Sequence, residues 1–135
     1  MFSFKVEYTI RILVEMEKQK RAGIGELPNT WLRMVCGNDA RGLSIVIRHL
    51  QKIGWLEYNR ISYLYSSSVD ITNISLYDLF LQVDENVQML PKPLHSDKIS
   101  QKLKEVFERV KVSEIIDHVL EKEECVDNLL IEKRI

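Results

Sequence analysis

Arg41, Ser44, Ile45, Arg48 and Lys52 recur at i, i+3, i+4, i+7 and i+11. On a helix that spacing makes one outward stripe, because residues three and four apart share a face. Guanidinium groups match guanine edges bidentately, and both Arg and Lys contact phosphate, so the stripe suits a helix lying in a DNA major groove. His49 borders it and is a further candidate for phosphate contact. Lys5 and Arg11 near the start, Asn38 at a turn and Arg60 in a later hairpin are candidates to hold the phosphate backbone, which sets register while base contacts set specificity. For each of these residues the plain alternative is an ordinary solvated surface or, for His49, the border of a core.

No comparable set suggests catalysis. The chain has no Gly-rich phosphate loop, nucleophile elbow or HExxH motif. His95 and His118 lack the neighbours of a zinc site, and Cys36 and Cys125 lack paired spacing. Neither an enzyme, a metal nor a cofactor is expected. Cys36, beside Gly37, reads as a structural thiol, and Glu123 and Glu124 disfavour a thiolate at Cys125. Trp31 and Trp55 read as packing residues. Tyr58, Tyr63 and Tyr65 have the rings to stack on bases, although alternate aromatics in a hairpin more simply bury one face.

The elements that must position the stripe follow from periodicity and punctuation. A first helix is predicted from an N-cap at Ser3 to Lys20, with Val6, Ile10, Leu13 and Val14 on one face and Phe4, Tyr8, Ile12 and Met16 nearly opposite. A helix apolar on two sides must be sandwiched, here between the stripe-bearing unit and C-terminal helices. A short second helix spans Asn29 to Val35 after Pro28, with Trp31, Leu32 and Val35 as its apolar contacts, and Cys36-Gly37-Asn38 ends it. Asp39 caps a third helix through Ile53, with Leu43, Val46, Ile47 and Leu50 inward and Gly54 as the stop. Two strands, Leu56 to Tyr58 and Ile61 to Tyr65, follow across a tight turn at Asn59-Arg60. Two helices across a Gly-containing turn and then a hairpin predict a winged helix-turn-helix over residues 1–66.

Residues 67–135 read as a helical dimerisation region. Ser66 to Asp70 is a linker, and Ser75 opens a helix with Asp78 in a capping-box relation. A loop is expected from Asp84 to Ser96. Ile99, Leu103, Val106, Phe107 and Val110 then form the strongest amphipathic stripe of this half, which needs a partner and is assigned to dimerisation. A short final helix is expected from Ser113 to Leu120, then a frayed Glu121 to Glu124 and a docking segment at Val126 to Ile131. The fold class is thus mostly α with a small β-hairpin.

At 135 residues and 45% hydrophobic content the chain can bury a real core. It contains no run of about 18 apolar residues, so no membrane span is expected, and its first turn mixes acid and base, unlike a signal peptide. Two distant cysteines fit a reducing compartment, hence the cytoplasm. The net charge of −1 divides unevenly: residues 1–66 hold ten Lys and Arg against six Asp and Glu, and residues 67–135 nine against fourteen. The mild basic excess lies in the half that carries the stripe.

Four stretches, in this order and spacing, resemble a known family: Ser3-Phe4-Lys5-Val6-Glu7-Tyr8-Thr9-Ile10-Arg11, Leu50-Gln51-Lys52-Ile53-Gly54-Trp55-Leu56, Ile74-Ser75-Leu76-Tyr77-Asp78-Leu79-Phe80 and Val110-Lys111-Val112-Ser113-Glu114-Ile115-Ile116. The family is the Rrf-two group of bacterial winged-helix repressors, which includes the iron–sulfur cluster regulator and the cysteine-metabolism repressor. The resemblance implies a homodimer held by the long C-terminal helix, with the third helix in the major groove of double-stranded DNA and the wing beside the backbone. The chain departs from the family at two places. Asn59 to Tyr63 has no glycine and one basic residue where the family's wing tip is basic and glycine-rich. Val87 to Ser100 holds no cysteine where cluster-binding members place three, so no iron–sulfur cluster is expected.

The expected function is therefore a cytoplasmic homodimeric transcription regulator reading a palindromic operator. A winged-helix protein-interaction module that has lost DNA binding is the first alternative. A sensor acting through a pocket between the first helix and the C-terminal helices is the second, although the sequence names no ligand.

Overall fold

Helix α1 (Phe4–Arg21) starts where the Ser3 hydroxyl accepts the Val6 N–H at 3.4 Å, as the sequence predicts. The computed structural model describes residues 3–83 and 98–134. Within them α1 is followed by α2 (Asn29–Val35), α3 (Ala40–Lys52), a hairpin of β1 (Leu56–Asn59) and β2 (Leu64–Ser67), then α4 (Leu76–Val83), α5 (Lys98–Arg109) and α6 (Val112–Arg134). The described residues are mostly helical with one two-stranded antiparallel sheet. The expected loop at Asp84 to Ser96, and His95 in it, lie outside the described residues, as do the side chains of Ile99, Leu103, Cys125 and the Val126 to Ile131 segment.

α1 is the central helix and touches α2, α3, β2, α4 and α6. Val6, Ile12, Leu13 and Met16 on α1 meet Leu32 of α2, Leu43, Val46 and Leu50 of α3, Leu56 of β1, Leu79 and Val83 of α4, and Val112 and Ile116 of α6 in one buried cluster. Each such side chain stabilises the fold by roughly 1.5–3 kcal/mol relative to exposure. The second stripe predicted on α1 is buried only in part: Ile12 and Met16 are enclosed, Tyr8 is half-buried, and Phe4 is 42% exposed with its ring edge-on to Tyr8 at 5.6 Å.

The C-terminal ends of α2 and α3 close by the same hydrogen-bond pattern. After α2, Gly37 N–H donates to Met34 O and Asn38 N–H to Arg33 O, with Gly37 and Asn38 both at positive φ. After α3, Gly54 N–H donates to Gln51 O and Trp55 N–H to Leu50 O, with Gly54 at φ +81°. Paired bonds of this kind satisfy the last carbonyls of a helix and need a left-handed residue, which glycine adopts without strain.

The hairpin differs from its prediction. Asn59 pairs with Leu64, so the connection is Arg60 to Tyr63 rather than a tight turn at Asn59-Arg60, and β2 begins three residues later than expected. The cause is Asn59, whose Oδ1 accepts the Ile61 and Ser62 N–H groups and withdraws them from the ladder. Ile61 is left 91% exposed despite its β propensity. A pairing with no periodic signal adds to the sheet: Leu27 and Tyr65 exchange both backbone bonds, at 2.8 and 2.7 Å, tying the segment before α2 to β2.

The Ser75–Asp78 capping box forms reciprocally at 3.1 Å in each direction. The entrance to α4 is also stitched to the α5–α6 junction, because Leu76 N–H donates to Val110 O and Val112 N–H to Ile74 O. Phe107 of α5 packs edge-on against Phe80 of α4 at 5.3 Å, whereas Val106 is 53% exposed. The predicted short last helix and frayed tail are instead one helix running to Arg134. Asp117 pairs with Arg21 of α1, and Glu123, in the segment expected to fray, pairs with Lys18 of the same helix. No helix among the described residues is long and apolar enough to cross a membrane.

Candidate nucleic-acid interface

The position of α3 is set by its first turn. Asp39 accepts the Gly42 N–H at 3.0 Å, as its role of N-cap requires, and its other oxygen accepts the Tyr8 hydroxyl of α1 at 2.7 Å. These bonds act on both acids: the Gly42 N–H and then the Tyr8 hydroxyl hold the Asp39 carboxyl below its usual range, and the Asp39 acceptor raises the Tyr8 phenol. Gly42 is needed for the close approach. A Cβ there would meet Asp39 Oδ2 at 2.4 Å and a Tyr8 ring carbon at 2.8 Å.

From that start the helix turns Leu43, Val46, Ile47 and Leu50 into the core and Arg41, Ser44, Ile45, Arg48 and Lys52 outward, all five exposed. A shallow groove of about 580 Å³ is lined by Lys5, Arg41, Ser44, Ile45, Arg48, His49 and Lys52. Seven of the ten residues singled out from the sequence therefore converge, Lys5 reaching the groove from α1. The lining holds three Lys and Arg from α3, one Lys from α1 and no carboxylate. Among the described residues Arg41, Arg48 and Lys52 form no ion pair, so their charge faces outward.

His49 lines the groove and also has a partner inside the molecule. Its Nε2 lies 2.5 Å from the Gln82 carbonyl near the end of α4, so this nitrogen ties α3 to α4 and is not directed at an outside phosphate. Asn38 and Arg60 are exposed but do not line the groove; Asn38 serves the turn through its left-handed backbone. Arg11 is turned to Glu7 at 2.9 Å and lines another groove, between α1, α2 and α6. Trp31 is not a core residue: it is 37% exposed and its indole N–H donates to Glu15 at 2.8 Å. Trp55 and Tyr65 pack against the core, Tyr58 lies on Tyr65 at 4.8 Å between ring centres, and Tyr63 is exposed in the hairpin loop.

The sequence reading missed the other flank of the stripe. Asn29 at the start of α2, Gln51 on α3 and Tyr65 on β2 surround a hollow of about 360 Å³ that shares Ser44 and Arg48 with the first groove. Gln51 was within reach, since it falls three residues after Arg48 and seven after Ser44. Asn29 and Tyr65 are brought there only by tertiary contacts.

Burial pushes the Cys36 thiol up to about 11, so it remains protonated at neutral pH. Among the described residues no cluster of three His, Cys, Asp or Glu side chains is placed to hold a metal ion. No family model matches the chain, and no curated protein matches it.

Proposed function

We propose that this chain is a DNA-binding transcription regulator of the Rrf-two winged-helix type, acting as a homodimer with α3 as its recognition helix and the hairpin as its wing. The observation that carries this is the carboxylate-free groove in which Lys5, Arg41, Arg48 and Lys52 surround the exposed Ser44 and Ile45. Arginine and lysine supply phosphate and guanine contacts, Ser44 a hydroxyl, and Ile45 an apolar surface for a thymine methyl. Capping by Asp39 and the Tyr8 bond hold this face at a fixed angle to α1, which supports reading by a preset helix. In a two-fold dimer the two α3 helices would meet half-sites roughly 34 Å apart, one turn of DNA.

Fluorescence anisotropy of labelled genomic fragments at several salt concentrations tests the proposal. The expected result is saturable binding that weakens steeply with salt and is weaker in Arg48→Ala. Binding no tighter than that of a net-neutral control protein overturns it. One observation favours protein contact instead: the wing tip presents Ile61 and Tyr63 with a single Arg60, an apolar surface poorly suited to phosphate. Under that second reading the Ile61→Ser variant loses a protein partner while DNA binding is absent throughout.

A further inference from the structure

On the side of α1 away from the basic stripe lies a second groove, of about 650 Å³, where α1, α2 and α6 meet. Ile10, Val14, Val35 and Val119 form its apolar floor, and its size is that of small-molecule sites. The rim is acidic: Glu7, Glu15 and Glu123 stand against Arg11 alone. The carboxylates are not equivalent. Glu7 is neutralised by Arg11 and Glu123 is paired with Lys18, each across 2.9–3.1 Å. Glu15 is held by two neutral donors, the Trp31 indole and the Gln19 amide, and both bonds end on its Oε1. Neither donor carries a charge to offset that of the carboxylate, and Glu15 is half-buried beside branched aliphatic side chains, where water screens a charge less than at an open surface.

The geometry points to a binding site for a small organic cation with a compact apolar body, the body on Ile10, Val14, Val35 and Val119 and the cationic head at Glu15. An anion of the same shape meets the Glu15 charge and is rejected, and a neutral analogue gains the apolar contact alone. Because Trp31 of α2 shares the carboxylate, occupancy bears on the helix that leads into α3. The inference does not rest on the DNA-binding proposal, and neither fails with the other.

Three probes with one hydrocarbon cage separate the contributions: adamantan-1-amine, charged at neutral pH, adamantan-1-ol and adamantane-1-carboxylate. Each is titrated into the full chain while the methyl NMR signals of Val14, Val35 and Val119 are followed. The ammonium is expected to bind about fivefold or more tighter than the alcohol, with the carboxylate weakest. Glu15→Gln keeps an acceptor for Trp31 and removes the charge, so it should bring the ammonium down to the alcohol's affinity without changing the alcohol. Val119→Asp, at a half-buried floor position, should weaken the alcohol. Equal affinity for all three probes, no methyl shifts with a folded spectrum, or an ammonium preference that survives Glu15→Gln overturns the inference.

Discussion

The Tyr8 hydroxyl on α1 donates to Asp39 Oδ2 at 2.7 Å, and the other oxygen of that carboxylate accepts the Gly42 N–H in the first turn of α3. The first helix thus fixes the residue that starts the third. Burial of Leu43, Val46, Ile47 and Leu50 decides which side chains of α3 face out, and this bond ties its first turn to α1.

Gly42→Ala should disturb that start. Its Cβ would overlap Asp39 Oδ2 and the Tyr8 ring, and overpacking of this kind costs about 1–3 kcal/mol. Urea denaturation should show a lower midpoint in Gly42→Ala than in Ser44→Ala, an exposed position on the same helix. Equal midpoints would show that the turn relaxes freely.

Acid should weaken the same contact. The Asp39 carboxyl is depressed in the folded chain, so the stability it contributes is fully present above the ordinary carboxylate range and is lost as pH falls through its lowered value. Asp39→Asn keeps an acceptor for Gly42 but has no charge to lose. The urea midpoint of the variant should fall less on acidification than that of the parent chain, and parallel curves would contradict the assignment.

On the proposed DNA face the substitutions should divide by role. Arg48→Ala should cost about 1–3 kcal/mol on a preferred site, and Lys52→Ala should lower the salt slope by about one on any sequence. Arg11→Ala should leave DNA affinity unchanged, because that guanidinium is engaged by Glu7. Anisotropy titrations across salt concentrations measure all three.

Ile61→Ser should change stability by no more than about 0.5 kcal/mol, since the side chain is 91% exposed and its removal leaves no cavity. A loss well above that in thermal unfolding would mean that the hairpin tip packs on something within the molecule.

Features that depend on near neighbours were legible in the sequence. Ser3, Asp39 and the Ser75–Asp78 pair each cap through bonds spanning three residues, and the stripe on α3 follows from helical period alone. What escaped depends on partners distant along the chain. Glu123 looks like part of a dissolving helix end until Lys18 lies alongside. Trp31 looks like core until Glu15 draws its indole to the surface, and the bond of His49 to the Gln82 carbonyl has no local signal. The hairpin turn is the exception, a local effect in which one Asn59 amide oxygen outweighed the strand propensity of Ile61 and Tyr63.

The two backbone bonds between Leu27 and Tyr65 close the intervening chain into a ring that contains α2, α3 and β1. A hairpin joined in this way is a handle rather than a free antenna. Whatever grips it must swing the start of α2 by the same motion, and whatever moves α2 must swing the hairpin.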